Sequence, residues 1–98
     1  LNQLGTLFNE SQQYAQAELM YVRALAERAD YADVWGNRAR NERLWAQAEA
    51  DAGRTAEARA HVARGLAHAR RALEINPQHQ NNQRIQAALV ALQRRLGA

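Results

Sequence analysis

The run GNRARNERLW (Gly36 to Trp45) sets Arg38, Arg40 and Arg43 beside Asn37 and Asn41 within three turns of chain. A guanidinium is a planar fork of N–H donors that matches the paired oxygens of a carboxylate or phosphate. With Trp35 or Trp45 beside it as an aromatic anchor, such a run suits a binding hot spot. It equally suits a solvated helix face on which Glu42 pairs with the arginines while both Trp side chains pack inside. The residues leave both readings open.

Other polar residues offer less chemistry. His61 and His68 are seven apart, so on a helix they share a face about 10 Å apart, too far for one metal ion to bridge. His79 falls in a loop. Ser11 is the only serine and has no histidine near it in the chain. Glu49 and Asp51 project to different faces, and there is no glycine-rich phosphate loop. No catalytic residue, metal site or cofactor is therefore expected, and no enzyme activity within this stretch. Arg59, Arg64, Arg70 and Arg71 form a basic stripe of the kind that meets nucleic acid. Against it stand ten acidic residues, a net charge of only +3 and no aromatic interleaved on that segment, so nucleic acid is not an expected partner.

These residues need elements to hold them, and composition selects helices. The chain has 98 residues, enough for one small domain with a modest core. Alanine fills more than a fifth of it, and all thirteen basic residues are arginine. Both are strong helix formers. Arginine in place of lysine also fits a GC-rich bacterial genome. One proline and five glycines interrupt the chain, and cysteine is absent. Disulfides and thiolate sites are thereby excluded, while cytoplasm and periplasm both stay open. No stretch approaches the ~20 apolar residues of a membrane helix, so membrane insertion is not expected. The start at Leu1 rather than Met suggests a piece of a longer protein.

Apolar spacing predicts five antiparallel helices with short connections, an all-α fold. The first runs from about Leu1 to Ser11, with Leu1, Leu4, Leu7 and Phe8 on one face. The second, about Tyr14 to Arg28, turns Ala17, Met20, Tyr21, Ala24 and Leu25 inward. Asp30 is expected to cap the third, about Tyr31 to Ala52, whose stripe is Trp35, Ala39, Trp45, Ala48 and Ala52. Gly53 stops it. Thr55 is expected to cap the fourth, which carries Ala58, Val62, Leu66, Ala69 and Leu73 and ends before Asn76-Pro77. The tail NNQRIQAALVALQRRLGA forms the fifth, with Ile85, Ala88, Leu89, Leu92 and Leu96 on one face and Gly97 as its stop.

In the opening stretch, Leu4-Gly5, Phe8, Ala17, Tyr21 and Ala24 alternate small and aromatic residues at fixed intervals. This spacing resembles the tetratricopeptide repeat, a 34-residue helix–turn–helix unit. The family's turn glycine is replaced by Gln12 and its closing proline by Ala29. "AGRTAEA" and "RRALEINP" resemble the turn and the close of a second unit, with Ala58, Ala72 and Pro77 in place. Between them the chain departs from the pattern. Ala29 to Gly53 spans 24 residues and Ala58 to Ala72 spans 14, each about seven more than the repeat has. Seven residues are nearly two turns, so a matched extension of both helices keeps the inner face inward. The resemblance implies a single domain, 1–98, of antiparallel helix–turn–helix repeats in an α-solenoid segment. Residues 1–30 would be one repeat, 31–77 an extended second, and 78–98 a capping helix or the start of a third.

The resemblance further implies a scaffold or adaptor whose concave groove binds a peptide or helix of another protein. The first helix of each unit would line that groove. Asn2, Thr6 and Asn9 are then the contacts expected from the first helix, and Arg40, Arg43 and Gln47 from the third, with Arg84 added by the fifth. A family mode that grips a terminal carboxylate needs a lysine in the first unit. Asn2 stands there, so that mode does not carry over. About two repeats are marginal alone, and an exposed apolar edge at the first helix would favour self-association. A self-associating structural repeat is thus the alternative, as is a sensor domain for an enzyme elsewhere in a parent chain.

Overall fold

In a computed structural model the chain folds as five helices. They are α1 (Asn2–Glu10), α2 (Tyr14–Glu27), α3 (Ala32–Asp51), α4 (Thr55–Ile75) and α5 (Gln80–Arg95). The structure describes residues 1–97. Ala98, the end of the tail expected as the fifth helix, lies outside them.

Two helix–turn–helix pairs, α1/α2 and α3/α4, stack side by side, and α5 packs on the second pair. The odd helices meet one another, α1 on α3 and α3 on α5, whereas among the described residues α2 and α4 have no close backbone approach. The odd helices thus form one layer, and α2 and α4 each pack against it. This is the all-α repeat arrangement the spacing predicted.

The turns of the two pairs are built alike. Gln12 has φ +62° and Gly53 has φ +81°. After each, the next N–H reaches back over one helical turn: Gln13 N to Phe8 O at 2.8 Å, and Arg54 N to Glu49 O at 2.8 Å. That six-to-one bond is the usual closure of a helix by a left-handed residue. Gly53 ends α3 as expected, and Gln12 performs the same turn with a side chain attached.

Close helix contacts follow from the small residues. A methyl on Gly5 would lie 2.6 Å from the Tyr21 ring, and one on Gly65 would lie 2.8 Å from Leu89. The first core region gathers Ala17, Tyr21, Leu25 and Val34, with Phe8, Ala24, Tyr31 and Trp35 at its margin. The second gathers Ala39, Ala46, Val62, Ala69, Ile85, Leu89 and Leu92. Burial of a side chain such as Leu89 contributes about 2 kcal/mol.

Several expectations are corrected. Asp30 does not cap α3. Tyr31 is the capping residue and makes no side-chain cap bond, while Asp30 lies 3.5 Å from Arg28. Thr55 is the first residue of α4 and not its cap, which is Arg54. The stripe proposed for α3 holds only at Ala39. Its buried residues are Val34, Gly36, Ala39, Asn41, Glu42 and Ala46. Trp35, Trp45 and Ala48 are half-buried and Ala52 is exposed. The apolar edge expected at the first helix is present: Leu1, just before α1, and Leu4 and Leu7 on it are exposed, Leu7 at 60%, as are Leu19 and Val22 of α2. An apolar edge therefore runs along the first pair.

Candidate functional site

The central helix α3 separates the polar residues by face. Arg38 points to the α2 side. Its Nε bonds the Glu18 carboxylate, and its guanidinium lies over the Trp35 ring, 5.3 Å from the centroid. Burial raises the Glu18 pKa, and the Arg38 charge and hydrogen bond oppose that rise. Arg40 and Arg43 point instead to the layer of odd helices. There they line an open hollow of about 550 Å³ together with Asn37, Asn81, Arg84, Ile85 and Ala88. The run read from the sequence as either a binding fork or a solvated face thus divides between the two sides of α3.

The hollow is unusual in its charge. Arg40, Arg43 and Arg84 bring three guanidinium groups to it, and no carboxylate is among its lining residues. Among the described residues no acid lies within ion-pairing distance of any of the three. Arg40 Nη1 has only a long contact to Asn9 Oδ1, at 3.4 Å. Arg43 Nε is fully buried with no hydrogen-bond partner. Burial, with the neighbouring charge of Arg40, pushes the Arg43 guanidinium below its ordinary value. An anion in the hollow would offset the repulsion between Arg40 and Arg43. Ile85 and Ala88 give the hollow an apolar lining, which strengthens any ion pair formed there.

The α1 residues expected to make contacts tie α1 to its neighbours. Asn2 Oδ1 accepts from Asn37 Nδ2 at 3.0 Å. Thr6 Oγ1 bonds Asn2 O and lies 3.2 Å from the Tyr21 hydroxyl. Asn9 is 3% exposed. Its Nδ2 donates to Asn41 Oδ1 at 2.8 Å, and Asn41 Nδ2 donates to Tyr14 O at 3.0 Å. None of these three lines the arginine hollow. Gln47 sits one turn beyond Arg43, in a separate hollow with Gln12, Tyr14, Leu44, Ala48 and Asp51. It donates to Asp51 Oδ1 at 2.9 Å and accepts from Arg95 Nη2 at 3.3 Å. The structure therefore brings together Arg40, Arg43 and Arg84. It adds Asn37 and Asn81, which sequence reasoning had left off the contact set. The signal was available in the helical spacing, since Asn37, Arg40 and Arg84, Asn81 are pairs three apart.

Neither tryptophan serves the hollow as an anchor. Trp35 Nε1 donates to Ala29 O at 2.8 Å. Trp45 stacks on His61, 4.1 Å between ring centroids, and faces Tyr14 at 6.0 Å. The most buried charge is Glu42, at 2% exposure. Its Oε2 accepts from Arg64 Nε at 3.0 Å and lies 3.3 Å from His61 Nδ1. That cluster clamps α3 to α4. His68 lies against Trp35, 5.7 Å between centroids. Among the described residues no three metal-ligating side chains converge. Ser11 Oγ donates to Leu7 O at 2.9 Å. No family model, curated protein or solved structure matches this chain.

Proposed function

We propose that this domain is a protein–protein interaction module of the tetratricopeptide-repeat type, and that its inner layer binds an acidic segment of a partner. The observation that carries the binding surface is the convergence of Arg40, Arg43 and Arg84 on one open hollow that contains no carboxylate. The repeat assignment is supported by the packing of α2 and α4 on a layer of odd helices and by Gly5 receiving the Tyr21 ring. A groove preformed by rigid helices has little ordering entropy to lose when a segment docks. The binding role needs no catalytic group or cofactor.

A titration tests this. A fluorescent peptide rich in Asp and Glu binds the wild-type domain, and the double variant Arg40→Glu, Arg43→Glu loses at least about tenfold in affinity. Equal affinity in the two proteins would remove the hollow as the binding surface.

A second reading, a self-associating structural repeat, is favoured by one feature. The apolar edge of Leu1, Leu4, Leu7, Leu19 and Val22 is uncovered, and the end of a repeat stack needs a cover.

A further inference from the structure

We infer that the arginine hollow recognises a phosphoryl monoester carried on a partner's extended segment, such as a phosphorylated serine or threonine side chain. This rests on the interaction-module reading and narrows its ligand.

A shared space sets the hollow's arginines apart, because among the described residues Arg23, Arg59, Arg70, Arg71, Arg94 and Arg95 also have no acid partner but do not converge there. Arg38 bonds Glu18, Arg54 bonds Glu49, Arg64 bonds Glu42, and Arg28 lies near Asp30. The three arginines of the hollow have no such partner among the described residues, although they share one space. Arg40 and Arg43 are three apart on α3, and Arg84 comes from α5 across the hollow. Burial, and then the charge of Arg40 one turn away on the same helix, lower the Arg43 pKa.

The number of forks decides between anions. A carboxylate has one charge and two oxygens, which one bidentate guanidinium satisfies. Three forks around one carboxylate leave two charges uncompensated. A phosphoryl monoester carries a charge of about −1.5 to −2 and three strong acceptor oxygens. Its oxygens can divide among the three arginines that line the hollow, which Asn37 and Asn81 also line. The hollow, at about 550 Å³, has room for the residue that carries the phosphate and its neighbours. Half-buried Ala88, beside the buried Ile85, can meet an apolar flanking side chain. Nucleic acid fits less well. A phosphodiester has a single charge, and no aromatic side chain lines the hollow on which a base could stack.

The test compares four ligands on the full 98-residue chain by fluorescence anisotropy and competition. They are one acidic peptide with a central phosphoserine, the same peptide with Glu there, inorganic phosphate, and a single-stranded RNA of matched length. The inference expects the phosphopeptide to bind at least about tenfold more tightly than the Glu peptide. It also expects that preference to fall to near unity in Arg84→Gln. Arg84 is exposed, so this variant keeps the fold, which an unchanged thermal melt verifies. Arg84→Lys restores the charge without the fork and recovers only part of the preference. Equal binding of the two peptides would overturn the phosphate inference and leave the acidic-segment reading intact. Tighter binding of inorganic phosphate or RNA than of the phosphopeptide would also overturn it, with the ligand then a free anion or a nucleic acid. Binding of none of the four would overturn the acidic-segment reading as well.

Discussion

Gln12 turns the first hairpin with φ +62°, where the second hairpin uses Gly53 at φ +81°. A side chain in the left-handed region costs about 1–2 kcal/mol, because Cβ approaches the following carbonyl. Glycine avoids that cost but loses about 0.5–1 kcal/mol in chain entropy. Gln12→Gly is therefore expected to stabilise the domain by roughly 0.5–1 kcal/mol. Chemical denaturation measures this as a higher midpoint with an unchanged slope. A lower midpoint would mean that the Gln12 side chain makes a contact outweighing the strain.

His68 gives the fold a dependence on acid. Burial, and then the charges of Arg38 and Arg64, lower its pKa from 6.5 to about 4. The Trp35 ring packs against it. Between these two values the unfolded chain binds more protons than the native one, so stability rises with pH across that window. As pH falls from 6.5 toward 4, the melting temperature is expected to drop. His68→Gln should lose much of that slope, measured by melts at pH 4, 5, 6 and 7. An identical slope in the variant would assign the acid sensitivity to other groups.

At the same scale, Gly5, Ala17 and Tyr21 were legible as packing residues because small–aromatic spacing is a local pattern. Glu42 was not. A carboxylate in an Arg-rich run reads as solvated until His61 and Arg64 arrive from α4, nineteen and twenty-two positions away. Asn9 and Asn41 escaped for the same reason, since their bond joins α1 to α3.

Among the elements, α4 ends at Ile75 as expected but begins one residue early, since Thr55 opens the helix and does not cap it, and its stripe was right at Ala58, Val62 and Ala69. It packs mainly against α3 and α5, so its core positions keep a helical period. The stripe of α3 failed because that helix is touched from four sides, by α1, α2, α4 and α5. A helix covered all round has no single apolar face to betray its register. The two expected N-caps failed because neither α3 nor α4 has a side-chain cap bond. An Asp or Thr near a helix start is only a propensity.

The pair α1/α2 carries the uncovered edge. Its leucines follow the helical period as clearly as a core stripe does, and they are exposed, as the expected apolar edge at the first helix requires. Self-association through this edge is expected at high protein concentration. Sedimentation velocity should show a weight-average coefficient that rises with concentration in the wild type. The double variant Leu4→Glu, Leu7→Glu should stay monomeric. Both residues are exposed, so the fold should persist. A wild type that stays monomeric at every concentration would contradict self-association through this edge.

Across the whole molecule, two ion pairs and the arginine hollow fall on different sides of α3. Toward the even helices, Arg38 pairs with Glu18 and Arg64 with Glu42. The odd-helix side leaves Arg40, Arg43 and Arg84 facing one space without a counter-charge. A net charge of +3 is too small to steer partners by itself, so the local concentration of charge matters more than the total. No helix among the described residues is long and apolar enough to cross a membrane. Arg40, Arg43 and Arg84, which the repeat resemblance placed on one side, line one hollow. The place of Gln47 in a neighbouring hollow, and the use of Asn2, Thr6 and Asn9 as ties between helices, depended on packing distances that no spacing rule contains.

The affinity of an Asp- and Glu-rich peptide for the wild-type domain and for Arg40→Glu, Arg43→Glu, measured at 50 and at 300 mM salt, tests the central claim most directly. Binding by the wild type that weakens as salt screens the hollow, and that falls at least about tenfold in the variant, is the predicted result. Wild-type binding insensitive to both salt and charge reversal, or no binding at all, would contradict it.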